Sequence, residues 1–298
     1  MRICVAGLGG AGSTIVREIT EELGSAIEEI HLIDMDRVEV ANLANQAYDE
    51  EDAGEYKTHA TRRRIEKRLA EPKTRIYTYN VDVKRVQECE GAYLLRKCDV
   101  FISAMDSYES RVNFYYSVVR EVENARLYID CGVERYQAHC FYTEDRKPCI
   151  YCIRWMYPRE KEIRPLCSQR NTPEEVSEET KGSAIAGMLR QSGGNRDISG
   201  DKKRQQGVAD RFNKRYRDTL KREIEIEEVE EVERLGILPN ISTTNVILAS
   251  VVVLVVKQRR RCENTTDKKG NFILYSGNSK PVFYQHLLLH DDNCFLCR

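Results

Sequence analysis

The stretch Ile3-Cys4-Val5-Ala6-Gly7-Leu8-Gly9-Gly10-Ala11-Gly12-Ser13 decides the fold. Four apolar residues in a row read as a short buried strand and the glycines as a tight turn. From Ser13 to Leu23 the residues Ile15, Val16, Ile19 and Leu23 fall at helical spacing. Gly7, Gly9, Gly10 and Gly12 let backbone amides approach a phosphate, and the helix N-terminus adds about half a positive charge there. The spacing satisfies Gly-x-Gly-x-x-Gly, the dinucleotide fingerprint. His31-Leu32-Ile33-Asp34 forms a second strand, and Asp34 stands 22 residues after Gly12, where a carboxylate can hold a ribose hydroxyl.

Outward from this unit the alternation continues. Lys57 to Leu69 reads as a charged helix, Arg75 to Val81 as a strand, and Asp99 to Ala104 as a buried strand running into Met105-Asp106. Arg111 to Glu123 reads as a helix and Arg126 to Cys131 as one more strand. Strands alternating with helices predict an α/β, Rossmann-like fold with right-handed crossovers. There is no internal repeat. After Cys152 the pattern breaks. Residues 157 to 207 are polar, with Pro158, Pro165 and Pro173, and Gln191 to Gly207 reads as a loop. Residues 202 to 222 hold nine Lys or Arg and residues 223 to 233 hold seven Glu, the pattern of a solvated helix or hairpin with opposite charges facing. The division is therefore 1–156 with 235–298 as one globular unit, and 157–234 as an insert.

Lys plus Arg number 47 and Asp plus Glu 48, so bulk charge supplies no attraction to nucleic acid or to a membrane surface, and neither is an expected partner. The longest apolar run, Val246 to Val256, is eleven residues against the roughly 20 needed to span a bilayer, and reads as a buried helix. Met1-Arg2 leads directly into the first strand without a secretory pattern, so a cytoplasmic chain is expected.

In a reducing compartment eleven cysteines favour metal over disulfides where they pair. Cys149-x-x-Cys152 and Cys294-x-x-Cys297 can each grip one side of a tetrahedral zinc. Four thiolates leave no open position, so that zinc is structural and would pin the C-terminal stretch against residue 150. Two unrelated redox or buried pairs are the alternative. The five histidines show no ligand spacing and read as structural. Cys4, Cys98 and Cys131 lie in or beside apolar strand patterns and read as core.

Three features argue against a nicotinamide. Asp34-Met35-Asp36 places a second carboxylate at the ribose position. Val40-Ala41-Asn42-Leu43-Ala44-Asn45-Gln46 is followed eleven residues on by Lys57, and Asp106 is followed by Arg111. Carboxylates for a metal and cations for phosphates suit a triphosphate with magnesium.

In this order and spacing these residues resemble the ThiF family of adenylating enzymes, which includes the ubiquitin-activating enzymes and the bacterial activators of sulfur-carrier proteins. The matching positions are Gly7 to Gly12, Asp34, Asp36, Asn42, Leu43, Gln46, Lys57, Asp106 and Arg111. Ile129-Asp130-Cys131-Gly132 resembles the family's following strand and turn, and Leu238-Pro239 with Ser242-Thr243-Thr244-Asn245 its late helix. The resemblance implies an adenylation domain whose mixed, mostly parallel sheet carries helices on both faces, with a crossover segment added. It implies ATP and Mg2+ as cofactors, with Asp34 on the ribose, Asn42 and Lys57 on the phosphates and Asp106 holding the magnesium. It also implies Zn2+ at the two Cys-x-x-Cys pairs. The substrate would be a ubiquitin-like protein with a C-terminal glycine.

Pro165, Cys167 and Pro173 keep the spacing of the catalytic loop of ubiquitin-activating enzymes, with Ser168 in place of threonine. By that resemblance Cys167 is the nucleophile that takes the modifier as a thioester and passes it to a conjugating enzyme. Arg164 and Arg170 flank it and favour the thiolate. Two departures stand out. Asn45 replaces an arginine before Gln46, and the N-terminal helix that lends an arginine across the family's dimer has no counterpart before the first strand. A homodimer is the expected assembly, with a heterodimer as the alternative. The competing activities are a sulfur-carrier adenylyltransferase, a subunit of a heterodimeric activator, and an NAD oxidoreductase with structural zinc.

Overall fold

The computed structural model describes residues 1–44, 46–68, 74–122, 125–134, 136–144, 146–157, 185, 188, 202–216, 224–227, 229–230, 242–261, 270–277 and 281–297. The central strand is β1 (Arg2–Ala6), followed by α1 (Gly10–Leu23), β2 (Glu29–Ile33), α2 (Lys57–Arg68), β3 (Arg75–Tyr79), β4 (Val100–Ser103), α3 (Tyr108–Phe114), β5 (Leu127–Glu134) and β6 (Gln137–Thr143). There follow α4 (Lys202–Tyr216), α5 (Ser242–Arg261), β7 (Phe272–Ser276) and β8 (Val282–His286). Among the described residues the eight strands form one sheet in the order β3-β2-β1-β4-β5-β6-β7-β8. The first five run parallel, and β6, β7 and β8 are antiparallel to their neighbours.

Alternation along β1 explains the layers. Ile3 and Val5 pack into the apolar cluster that holds Ile15 and Ile19 of α1 and Val252 and Val256 of α5. Cys4 and Ala6 face the other cluster, with Phe114 of α3, Val118 and the four paired cysteines. Crossovers leave β1 toward β2 on one side and enter β4 on the other. The register aligns Tyr79, Ile33, Ala6, Ser103 and Asp130 along one row, so the segments just past that row converge at a topological switch point, where open α/β sheets bind ligands.

Several boundaries differ from the sequence reading. The helix expected from Arg111 begins at Tyr108, because the Ser107 side chain accepts the Ser110 N–H (3.1 Å) and caps it. It continues as a π-turn over Tyr115–Val119. The strand expected to end at Cys131 runs on to Glu134 and turns into β6. The loop expected through Gly207 is helical from Lys202, because Val208, Ala209 and Phe212 pack with Ile185, Met188, Ile224 and Val229. That cluster also reaches Val40, beyond β2. The helix expected to be buried from Val246 to Val256 is buried on one side only, with Val246 and Leu254 exposed. Among the described residues no helix is long and apolar enough to cross a membrane. Cys4, Cys98 and Cys131 are buried in the core as expected.

Candidate functional site

At Gly7 the backbone takes a φ of +86°, and a Cβ there would lie 2.6 Å from the Ala104 carbonyl oxygen. A Cβ at Gly12 would lie 1.8 Å from the Gly7 carbonyl oxygen, so both positions demand glycine for the turn to close. Gly9 caps α1 and faces open space. The turn and the first amides of α1 therefore offer an unobstructed anion cradle.

Asp34 braces this cradle. Its Oδ2 accepts the Leu8 N–H (2.6 Å) and its Oδ1 accepts the Asp36 N–H (2.8 Å). Burial pushes the Asp34 carboxyl up, against the pull of Lys57. The segment after Asp36 folds back through a bridge between Arg37 and Tyr56, which delivers Lys57 to the site. Lys57 Nζ lies 3.1 Å from Asp36 Oδ2. Burial alone would lower the Lys57 ammonium, but Asp34 and Asp36 outweigh it and hold it up, so the cation persists at neutral pH. Asn42 is buried, and its Oδ1 accepts the Glu39 N–H (2.9 Å) at the turn Val40–Ala44. Among the described residues the buried Gln46 Oε1 has no hydrogen-bond partner. Gln46 and Ser13 line a cleft of about 370 Å³ between α1 and α2, beside the glycine turn.

Asp106 is exposed three residues beyond Ser103, at the end of β4. Arg111 is buried and engaged within the protein. Its Nη1 donates to both oxygens of Asp130 (2.8 Å each) and to the Cys131 carbonyl (2.9 Å), and its Nη2 donates to the Met105 carbonyl. Its place is under the Asp106 turn. Burial alone would raise the Asp130 carboxyl, but Arg111 with its other donors holds it down at about 2. The Tyr157 hydroxyl also donates to Asp130, and His139 Nε2 lies 3.5 Å away.

The glycine turn, Asp34, Asp36, Lys57 and Asp106 thus emerge at one end of three adjacent strands. An open amide cradle, a persistent buried cation and an exposed carboxylate fit a phosphorylated ligand with its metal. Asn80 was not singled out in the sequence. It stands just past β3, next to the strand carrying Asp34, and is fixed by Thr58, whose hydroxyl donates to Oδ1, and by His59, whose Nε2 accepts from Nδ2 (2.9 Å). Cys167, with Arg164 and Arg170, lies outside the described residues, as do Asn45, Leu238 and Pro239.

The paired cysteines converge. Cys149, Cys152, Cys294 and Cys297 are buried, with all four sulfurs within 4.8 Å of one another. Contacts of 3.8 Å between Cys149 and Cys152, 3.5 Å between Cys149 and Cys294 and 3.5 Å between Cys152 and Cys297 approach the roughly 3.8 Å edge of a tetrahedron with zinc–sulfur bonds of about 2.3 Å. The donor set therefore fits zinc. His290, which carries no ligand spacing in the sequence, adds Nδ1 at 3.5 Å from Cys152 Sγ and 3.4 Å from Cys297 Sγ. We expect one zinc per chain by metal analysis. Cys294→Ser should lower both zinc content and melting temperature, and a metal-free wild type of full stability would contradict the assignment.

The ThiF family profile matches residues 1–295. The chain is 23% identical over 185 residues to the NEDD8-activating enzyme E1 catalytic subunit of Arabidopsis thaliana, covering 58% of this chain and 38% of that protein. It is 25% identical over 162 residues to Ubiquitin-like modifier-activating enzyme 5 of Caenorhabditis elegans, covering 51% and 37%. It is 29% identical over 110 residues to the Sulfur carrier protein adenylyltransferase of Thermus thermophilus, covering 37% and 38%. The matches thus span little more than a third of each relative's length. Among solved structures, E. coli MccB shares the fold, with a TM-score of 0.56 at 16% identity over 99% of this chain and 64% of that chain. With a family match running almost from end to end, the chain belongs to the ThiF family.

Proposed function

We propose that the chain adenylates the C-terminal carboxylate of a ubiquitin-like protein and then carries the modifier as a thioester on Cys167. The convergence of the glycine cradle, Asp34, Lys57 and Asp106 at the switch point of the sheet carries the adenylation step, and the spacing of Pro165, Cys167 and Pro173 supports the thioester step. Relatives named as activating enzymes support it.

The residues divide the work. The first amides of α1, in the turn that Gly7 and Gly12 allow to close, receive phosphate oxygens. Asp34 accepts from the ribose, and Asn80, just past the neighbouring strand β3, would meet the base. Lys57, with Asn42 and Gln46 on the covering segment, neutralises and orients the triphosphate. Arg111 acts from beneath by holding the turn that carries Asp106. Magnesium on Asp106 would offset charge on the reacting phosphate. The substrate carboxylate oxygen bonds to the α-phosphorus as the bond to pyrophosphate breaks, which leaves an acyl-adenylate. The Cys167 thiolate then attacks the acyl carbon and AMP leaves, and a conjugating enzyme accepts the modifier from the thioester.

Separating the two steps tests this. Cys167→Ala should retain modifier-dependent exchange of pyrophosphate into ATP and lose the thioester that reducing agent cleaves. Its stability should stay within about 0.5 kcal/mol of wild type. A reducible thioester in the mutant would clear Cys167 of the role. Exchange without any thioester in wild type would favour the second reading, a sulfur-carrier adenylyltransferase, which the relative of 29% identity supports.

A further inference from the structure

Tyr157 lies outside every motif in the sequence, yet it touches the supports of Asp106 from two sides. Its hydroxyl donates to Asp130 Oδ2. Asp130 in turn holds Arg111 through both carboxylate oxygens, and Arg111 Nη2 holds the carbonyl of Met105, the residue before Asp106. On the other side the Tyr157 ring stacks on Tyr108, two residues after Asp106, with centroids 5.1 Å apart and planes 30° from parallel. Arg111 also lies over the Tyr157 ring, 5.5 Å from its centroid. Asp130 is fully buried and Arg111 nearly so, which shields these links from bulk solvent. Burial and the Asp130 carboxylate both push the Tyr157 hydroxyl up, which keeps it a proton donor.

We propose that Tyr157 is a positioning residue for the metal-binding carboxylate: its hydroxyl fixes Asp130 and Arg111, and its ring fixes Tyr108, so that the turn between them presents Asp106 in one geometry. The proposal rests on the reading of Asp106 as the ligand of the metal that accompanies ATP. Outer partners of metal ligands typically govern about 10- to 100-fold of metal affinity, because they fix the orientation of the ligating group.

The test is binding of Mn2+ together with ATP by the full-length chain, followed by the paramagnetic signal of the ion and by calorimetry. Tyr157→Phe keeps the stack and removes only the hydroxyl. It should raise the half-saturating Mn2+ concentration about tenfold while ATP binding without metal stays at the wild-type value. Tyr157→Leu, which loses the stack as well, should weaken Mn2+ further. A purely structural tyrosine would change melting temperature and leave the Mn2+ requirement unmoved. Should Tyr157→Phe fail to fold, Tyr108→Leu reports on the same turn through the ring contact and should show the same selective loss of Mn2+. Wild-type Mn2+ dependence in the folded variants would overturn the proposal and leave the reading of Asp106 standing. Failure of wild type to bind Mn2+ with ATP would instead overturn the reading of Asp106, and the proposal with it.

Discussion

Asp130→Asn should destabilise the fold by about 3–5 kcal/mol, the usual cost of leaving one member of a buried ion pair without its counter-charge. The variant keeps the shape of the side chain but strands the Arg111 guanidinium in a site that is 5% exposed. Asp130 is also a source of acid sensitivity. Its carboxyl is held at about 2 in the fold against an ordinary value of 3.8. A depressed carboxyl favours the fold wherever it is ionised in both states. That stabilisation, roughly 2 kcal/mol, is present above about pH 4 and disappears as pH falls toward 2. Urea unfolding of wild type and variant at pH 7 should show the full difference, and the gap should narrow between pH 4 and 2. A difference below about 1 kcal/mol at pH 7 would mean that Arg111 finds another partner.

The sequence was most legible where chemistry and local geometry coincide. The turn at Gly7 to Gly12 carries its own signal, because only glycine permits the positive φ at Gly7 and the close approach at Gly12. The strands β1 and β4 were readable as short apolar runs, and β3 by its place in a stretch that alternates. The strands β6, β7 and β8 were not read individually, because their pairing is long-range and β8 is exposed along its whole length, so no burial pattern marks it. Pairing of the cysteines was readable from spacing, and the structure brings all four together. His290 was not, since its approach to two sulfurs depends on the path of the chain before Cys294. Arg111 was read as a nucleotide contact because its spacing from Asp106 is visible. Its partner Asp130 becomes visible only through the register that sets Ser103 beside Asp130. Tyr157 follows the same logic with no spacing signal at all.

Asp106→Ala should lower modifier-dependent exchange of pyrophosphate into ATP by at least about a hundredfold, since it removes the carboxylate that holds positive charge against the reacting phosphate. The side chain is exposed on a turn, so the fold should lose no more than about 0.5 kcal/mol. Loss of exchange would therefore report on chemistry and not on unfolding. The central claim is that the switch-point residues form an adenylation site for a protein carboxylate. Its most direct test is that exchange assay, run with ubiquitin-like proteins ending in glycine from the source organism. Exchange by wild type that requires the modifier and disappears in a folded Asp106→Ala variant is the predicted result. Undiminished exchange in Asp106→Ala, or none by wild type with any such protein, would contradict the account.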